Sequence, residues 1–226
     1  MTETEAEDLP KAKGSKKLTA GERSERRREL IATIMLSIAT VLSAWSAFQA
    51  TKWHGQMSVA HSDANSARAQ YTVASEEADA AFTLDMKLFT EWLDAHNSGH
   101  TDLANGYAAS FRDGFRTAFN AWLADNPPGH LNGSKMPFDY EQYSIPEQAK
   151  ADELFRQAEE LSNEARADVR NADNYTLTTV MLASVLFFAG ISVKLDSGPM
   201  SWFLLSVGGL LLVGATVAIT QIPVAS

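Results

Sequence analysis

The chemical capacity of this 226-residue chain lies in four of its five histidines and in several groups of carboxylates. His54 and His61 stand seven apart on one helix face, and His96 and His100 stand four apart. Two imidazoles at the second spacing can share a metal ion, but a closed site needs more ligands. Asp94 or Asp102 would have to supply one, and Gly99 interrupts the helix between the two histidines. His54, beside Lys52 and Trp53, reads instead as a residue of the membrane interface. Glu76, Glu77, Asp79 and Asp85, and later Glu159, Glu160 and Glu164, form acidic faces. They attract divalent cations but lack the loop geometry of a calcium site, so they are expected to be solvated faces. There is no cysteine, which removes disulfides, thiolate metal sites and a cysteine nucleophile. No glycine-rich phosphate loop, nucleophile elbow or His-Glu-x-x-His run is present. The expectation is a protein that is not an enzyme, with no catalytic, cofactor-binding or metal-ligating residues and no cofactor.

The elements that carry these residues are set by clustered apolar stretches. No charge occurs between Glu29 and Lys52, between Asp173 and Lys194, or from Gly198 onward. Each stretch is close to the ~20 residues that cross a bilayer core of about 30 Å. Transmembrane helices are therefore expected near 30–50, 175–193 and 200–222. Ser37, Thr40, Ser43 and Ser46 in the first can line a path or bond their own backbone. None of the spans holds an ionisable residue at mid-depth, which argues against ion-coupled transport. Arg26, Arg27 and Arg28 flank the first span and hold its start in the cytoplasm. They are read as topology residues first and as a patch for anionic lipid second. The first span is longer than a signal-peptide core and no Ala-x-Ala site ends it, so it reads as an anchor. Residues 1–18 read as a disordered cytoplasmic tail, and Thr19 with Glu22 has capping-box spacing. Residues 223–226 form a second short tail.

Between the first and second spans, residues 51–174 are read as an extracytoplasmic domain. Ala60, Ala64, Ala67, Tyr71, Ala74 and Ala78 continue a three–four spacing that starts at Ala50, Trp53 and Met57. That spacing keeps one seam of a helix facing a partner. Trp53 is also expected in the aromatic belt of the membrane. Ala151, Leu154, Ala158, Leu161, Ala165, Asp168, Ala172 and Tyr175 form a matching seam, with Val169 as substitute for the misfit Asp168. Asp152 and Arg156 can pair at i,i+4. Ser144, Pro146 and Glu147 mark the start of this returning helix. An antiparallel pair within one chain is the economical solution, and pairing between copies is the alternative. Between the seams, Phe82, Phe89 and Trp92 continue the outgoing helix to about His96, where Asn97-Ser98-Gly99 breaks it. A helix over 101–124 carries Phe111, Phe115, Phe119 and Trp122 as one stripe, which is either the core of a small cap or a partner groove. Residues 126–143, rich in proline, glycine and asparagine, read as a loop. Val193–Pro199 reads as a tight turn into the last span, in which Gly208, Gly209 and Gly214 allow close helix contact.

The fold class expected is thus all-α: three transmembrane helices with a long antiparallel helical stalk and a small helical cap between the first and second spans. The runs Ala44–Trp53, Phe115–Leu123 and Asn171–Tyr175, followed by Val185–Ser192, resemble a family of bacterial three-span membrane proteins without assigned activity. The resemblance covers about residues 25–222. It implies the same fold and a bacterial inner-membrane location, and it brings no functional residues. Residues 51–174 carry 20 acidic and 10 basic side chains, a balance that disfavours nucleic acid. The partners expected are membrane lipid and either further copies of the chain or another envelope protein. The leading expectation is a structural or interaction protein. The alternative is a subunit or accessory of an oligomeric channel or transport complex.

Overall fold

A computed structural model describes residues 20–126, 135–195 and 198–225. The expected disordered tail, Thr19 of the capping box, residues 127–134 of the loop and Asp196-Ser197 of the turn lie outside the described residues. The described elements are all helical. They are α1 (Ala20–Asn97), α2 (Thr101–Ala109), α3 (Asp113–Asp125), a 3-10 turn (Pro137–Asp139), α4 (Pro146–Lys194) and α5 (Gly198–Gln221). This is the all-α class expected, with long helices packed antiparallel. The chain divides into two compact units: residues up to Trp53 together with those from Arg170 onward, and His54–Val169. Helices α1 and α4 each contribute to both.

In the first unit, α1, α4 and α5 are long and apolar enough to cross a membrane. Only 17% to 28% of their most apolar windows is buried within the chain, so a nonaqueous surrounding must cover the rest. That is the arrangement of a multi-pass membrane protein. Ala32, Met35 and Ala39 of α1 pack with Leu182, Val185 and Ala189 of α4 and Leu205 and Ala215 of α5. Gly208 is buried, and a Cβ there would lie 3.2 Å from Met35 Cε and 3.6 Å from Phe188 Cβ. A Cβ on Gly214 would touch Met181 at 3.6 Å, whereas one on Gly209 would meet nothing. Close helix approach therefore uses Gly208 rather than the whole glycine run, because Gly208 and Gly209 point 100° apart on the helix.

In the second unit, Ala60, Ala64, Ala67, Ala74 and Ala78 are buried and Tyr71 is half-buried. They face Ala151, Leu154, Ala158, Ser162, Ala165 and Asp168 of α4, all buried. The Tyr71 and Phe155 rings lie 5.5 Å apart, and Ala74 packs with Ala151 and Leu154. The Arg68 guanidinium donates to Ser162 Oγ and lies 3.9 Å from Glu159. Numbers fall along α4 as they rise along α1, so the pairing is antiparallel and within one chain.

Four local expectations are corrected. The seam of α4 passes through Ser162, not Leu161, which is half-buried on its rim. Asp168 keeps its own place in the seam and is not displaced by Val169. Both follow from the 3.6-residue repeat, which fixes facing by position rather than by polarity. Arg156 does not pair with Asp152. It bonds Glu153 and, at 3.0 Å, Glu160, while Asp152 accepts from Gln148. One guanidinium reaches carboxylates on the turns above and below it. Helix α4 starts at Pro146, so Ile145 and not Ser144 precedes it. The Ser144 carbonyl instead lies against Gly114, where a Cβ would overlap it.

Burial pushes the Asp168 carboxyl above the ordinary aspartate range, and the Glu164 charge pushes it further. The folded state therefore binds this proton more tightly than the unfolded chain. The stabilisation is complete below the unfolded value, about 3.9, and is lost as pH rises through the folded one. Asp168→Asn is expected to raise stability at pH 7 and to flatten the acid-side pH dependence of unfolding, followed by circular dichroism.

The two glycines give a second test. Gly208→Leu overpacks a filled site and is expected to cost about 1–3 kcal/mol, lowering the melting temperature of detergent-solubilised protein. Gly209→Leu is expected to leave it within about 0.5 kcal/mol.

Candidate functional site

The densest convergence of aromatic and ionisable side chains lies in the cap, the part of the second unit formed by the end of α1, α2, α3 and the segment before α4. Its geometry starts with the end of α1. His100 N–H donates to Ala95 O at 2.9 Å and Gly99 N–H to His96 O at 3.1 Å, with Gly99 at φ 75°. This left-handed glycine closes the helix and satisfies its last carbonyls. The chain then turns back over the apolar face of α1.

The expected single helix over 101–124 is two helices. Ser110 N–H bonds Tyr107 O and Phe111 N–H bonds Ala108 O, tightening the last turn of α2. Arg112 is extended, with φ −62° and ψ 152°. The carbonyls freed by the break are taken by Arg116, whose Nη2 donates to Phe111 O at 2.6 Å and to Ala109 O at 3.3 Å. No proline marks this break in the sequence. It is imposed by tertiary contacts on either side of it.

One contact is apolar. Phe111, Phe115, Phe119 and Trp122 are all buried and pack with Phe89 and Trp92. Phe89 stands edge-on to Trp122 at 5.4 Å, and Trp92 to Phe119 at 4.8 Å. Edge-to-face pairs of this kind add about 0.5–1.5 kcal/mol each beyond area burial. The stripe is thus spent on the cap's own core, not left as an open groove. Phe138, expected in a loop, sits on the 3-10 turn and stacks on Phe115 at 5.0 Å. Trp122 Nε1 donates to Lys135 O at 3.0 Å. Phe82, on the outgoing helix before this core, is 39% exposed and meets the core's rim through Phe138 and Tyr143.

The other contact is ionic. Asp85, expected on a solvated face, is fully buried. Arg112 Nη2 donates to its Oδ2 at 2.6 Å and Nε to its Oδ1 at 3.2 Å, and the Tyr143 hydroxyl donates to Oδ2 at 3.1 Å. The bidentate bond to Asp85 holds the Arg112 guanidinium above its ordinary value. Burial first, and the Asp85 charge second, push the Tyr143 phenol far up, so it stays a donor. Glu147 adds negative charge toward Arg112, and its Oε2 is buried without a hydrogen bond. The group reads as a structural lock between α1, the α2–α3 break and the run into α4. Sequence spacing could not reveal it, because Asp85 and Arg112 are 27 residues apart and Tyr143 lies 58 from Asp85.

The remaining singled-out residues do not converge. His54, His61 and His100 are exposed, and His96 stacks on Trp92 at 4.9 Å. Among the described residues no three His, Asp or Glu side chains gather as a metal site. Ser37 and Thr40 are exposed and donate to their own helix's carbonyls, while Ser43 is half-buried and Ser46 buried, each with its hydroxyl shut off from solvent and without a partner. Steps of three residues rotate each hydroxyl about 60° from the last, so the four do not line one path. Arg26 and Arg27 are exposed, but Arg28 is buried.

Trp53, expected at a membrane interface, has a specific partner within the chain. Its Nε1 and the Tyr175 hydroxyl both donate to Pro223 O, each at 3.2 Å. Ala225 N–H donates to Oε1 of buried Gln49 at 2.9 Å. The segment after α5 is therefore tied down within the first unit rather than trailing free. Gln49 at the end of an apolar stretch was the sequence signal for a polar partner there.

No protein-family model, curated protein or solved structure matches this chain.

The lock is testable. Arg112→Met leaves Asp85 buried with its charge uncompensated, at an expected cost of about 3–5 kcal/mol. Adding Asp85→Asn to that variant should recover most of the loss. Urea unfolding of the solubilised chain, read by tryptophan fluorescence, measures both.

Proposed function

We propose that this is a non-enzymatic protein of the bacterial inner membrane that works by protein contact, and that its first partner is a second copy of itself. In this reading the start of α1 is cytoplasmic and residues 51–174 stand outside. The observation that carries it is a second stripe on α1. Val59, Ser62, Ser66, Ala69 and Val73 repeat the spacing of the alanine seam on a nearly opposite face, all of them exposed, and Glu76 takes the next position before the small Ala80. Val59 is 63% and Val73 54% exposed. A shallow groove over this face is lined by Ser66, Ala69, Gln70, Val73 and Lys150. Small and apolar side chains at seam spacing suit the same close helix approach that the first stripe makes with α4, and a second copy brings the same stripe. The side chains best equipped for chemistry, by contrast, are consumed in the cap's internal lock or stand singly in solvent.

The chain has no cysteine, so introduced pairs report cleanly. Ser66→Cys is expected to bridge two differently tagged copies in membranes. Ala67→Cys with Ala158→Cys is expected to bridge within one copy only. Ser66→Cys should also be labelled from the extracytoplasmic side alone. A monomer by native mass spectrometry with no Ser66→Cys bridge would overturn the self-association, and labelling from the cytoplasm would overturn the orientation.

A further inference from the structure

Arg28 opens the buried face of the first span, in series with Ala32, Met35 and Ala39. It is 8% exposed, and its Nε is shut off from solvent with no acceptor. It makes no ion pair or hydrogen bond with the described residues, although Glu25 and Glu29 stand exposed on the same helix. The contrast is Arg112, whose part-buried guanidinium holds a carboxylate in two bonds. A buried guanidinium without an anion is costly enough that one must be supplied.

Its position indicates from where. Met35 Cε packs at the level of Gly208 and Phe188. Seven residues back along α1 and α5, and seven onward along α4, bring Arg28 level with Ser201 and Leu195. Arg28 thus lies at the end of the first unit where α4 stops and α5 starts. That is one terminus of the apolar stretches, the depth of a bilayer's phosphates. Arg23, Arg26, Arg27 and Lys194 are exposed at the same end, and exposed Leu30, Ile31 and Ile34 continue α1 into the apolar region.

We infer that Arg28 is the anchor of a binding site for an anionic phospholipid. Its guanidinium holds the headgroup phosphate through paired N–H donors, and the acyl chains lie along the apolar surface beyond. A planar fork suits phosphate oxygens better than an ammonium does. The exposed arginines and Lys194 add attraction for a negatively charged headgroup, offset in part by Glu22, Glu25 and Glu29.

The test uses the full chain in detergent, with phosphatidylglycerol or phosphatidylcholine added, read by native mass spectrometry and by melting temperature. Wild type is expected to retain phosphatidylglycerol preferentially and to melt higher with it. Loss of charge-assisted bonds in Arg28→Gln is expected to weaken that retention by roughly tenfold or more, with little change toward phosphatidylcholine. Arg26→Gln and Arg27→Gln should weaken it less. If Arg28→Gln does not fold, Arg28→Lys keeps the charge, loses the fork and should still weaken retention at least about threefold. Unchanged retention in the Arg28 variants would overturn the proposal. So would displacement of the lipid by millimolar inorganic phosphate, which would make the site one for a free anion. Loss of melting temperature in Asp196→Asn equal to that in Arg28→Gln, with no lipid dependence, would assign Arg28 to the chain's own carboxylate and overturn it too.

Discussion

The close approach of α1 and α4 through alanine is the contact on which the second unit depends. A methyl group buries little area, at about 25 cal/mol per Å². The pairing therefore needs many positions, and most of its gain comes from backbones brought near enough for dense van der Waals contact. A seam of near-identical methyls also specifies register poorly. Larger groups beside it do that work. Tyr71 meets Phe155, and Arg68 reaches Ser162 and Glu159, so sliding by one turn would break both contacts.

The cap solves the same problem at the end of the pair with stronger and more directional interactions. Aromatic edges and faces fix orientation, and the Asp85 carboxylate accepts from Arg112 and Tyr143 at once. Three separate segments must be in place before that carboxylate is satisfied. The break at Ser110–Arg112 is what allows it, because a continuous helix would carry Arg112 around with its neighbours rather than release it toward Asp85. The lost helical bonds are replaced by Arg116 on the carbonyls of Ala109 and Phe111.

The membrane unit follows a different economy. Most hydroxyls in its helices donate to carbonyls of their own turn, which removes the penalty of polar groups in hydrocarbon. Polar side chains that reach beyond their own helix sit toward the ends. Gln49, Trp53 and Tyr175 hold the segment after α5, and Ser201 donates to Ser192 O where α4 and α5 meet. Between these ends the helices touch through Ala32, Ala39, Ala189 and Gly208, whose small size sets how near they come.

The long helices α1 and α4, the three apolar stretches, most of the alanine seams and the glycine stop at Gly99 were legible in the sequence. Each depends on short-range periodicity or on one residue's backbone preference, and neither needs knowledge of a distant neighbour. The burial of Asp85, the unpaired guanidinium of Arg28, the break before α3 and the seating of Pro223 and Ala225 were not legible. A carboxylate on a helix reads as solvated until the group that neutralises it is known, and Arg112 stands 27 positions away. Local pattern determined which segments are helices and which faces are small. Only the tertiary structure decided which polar groups those helices enclose, because that depends on charges and carbonyls brought together from segments far apart in the chain.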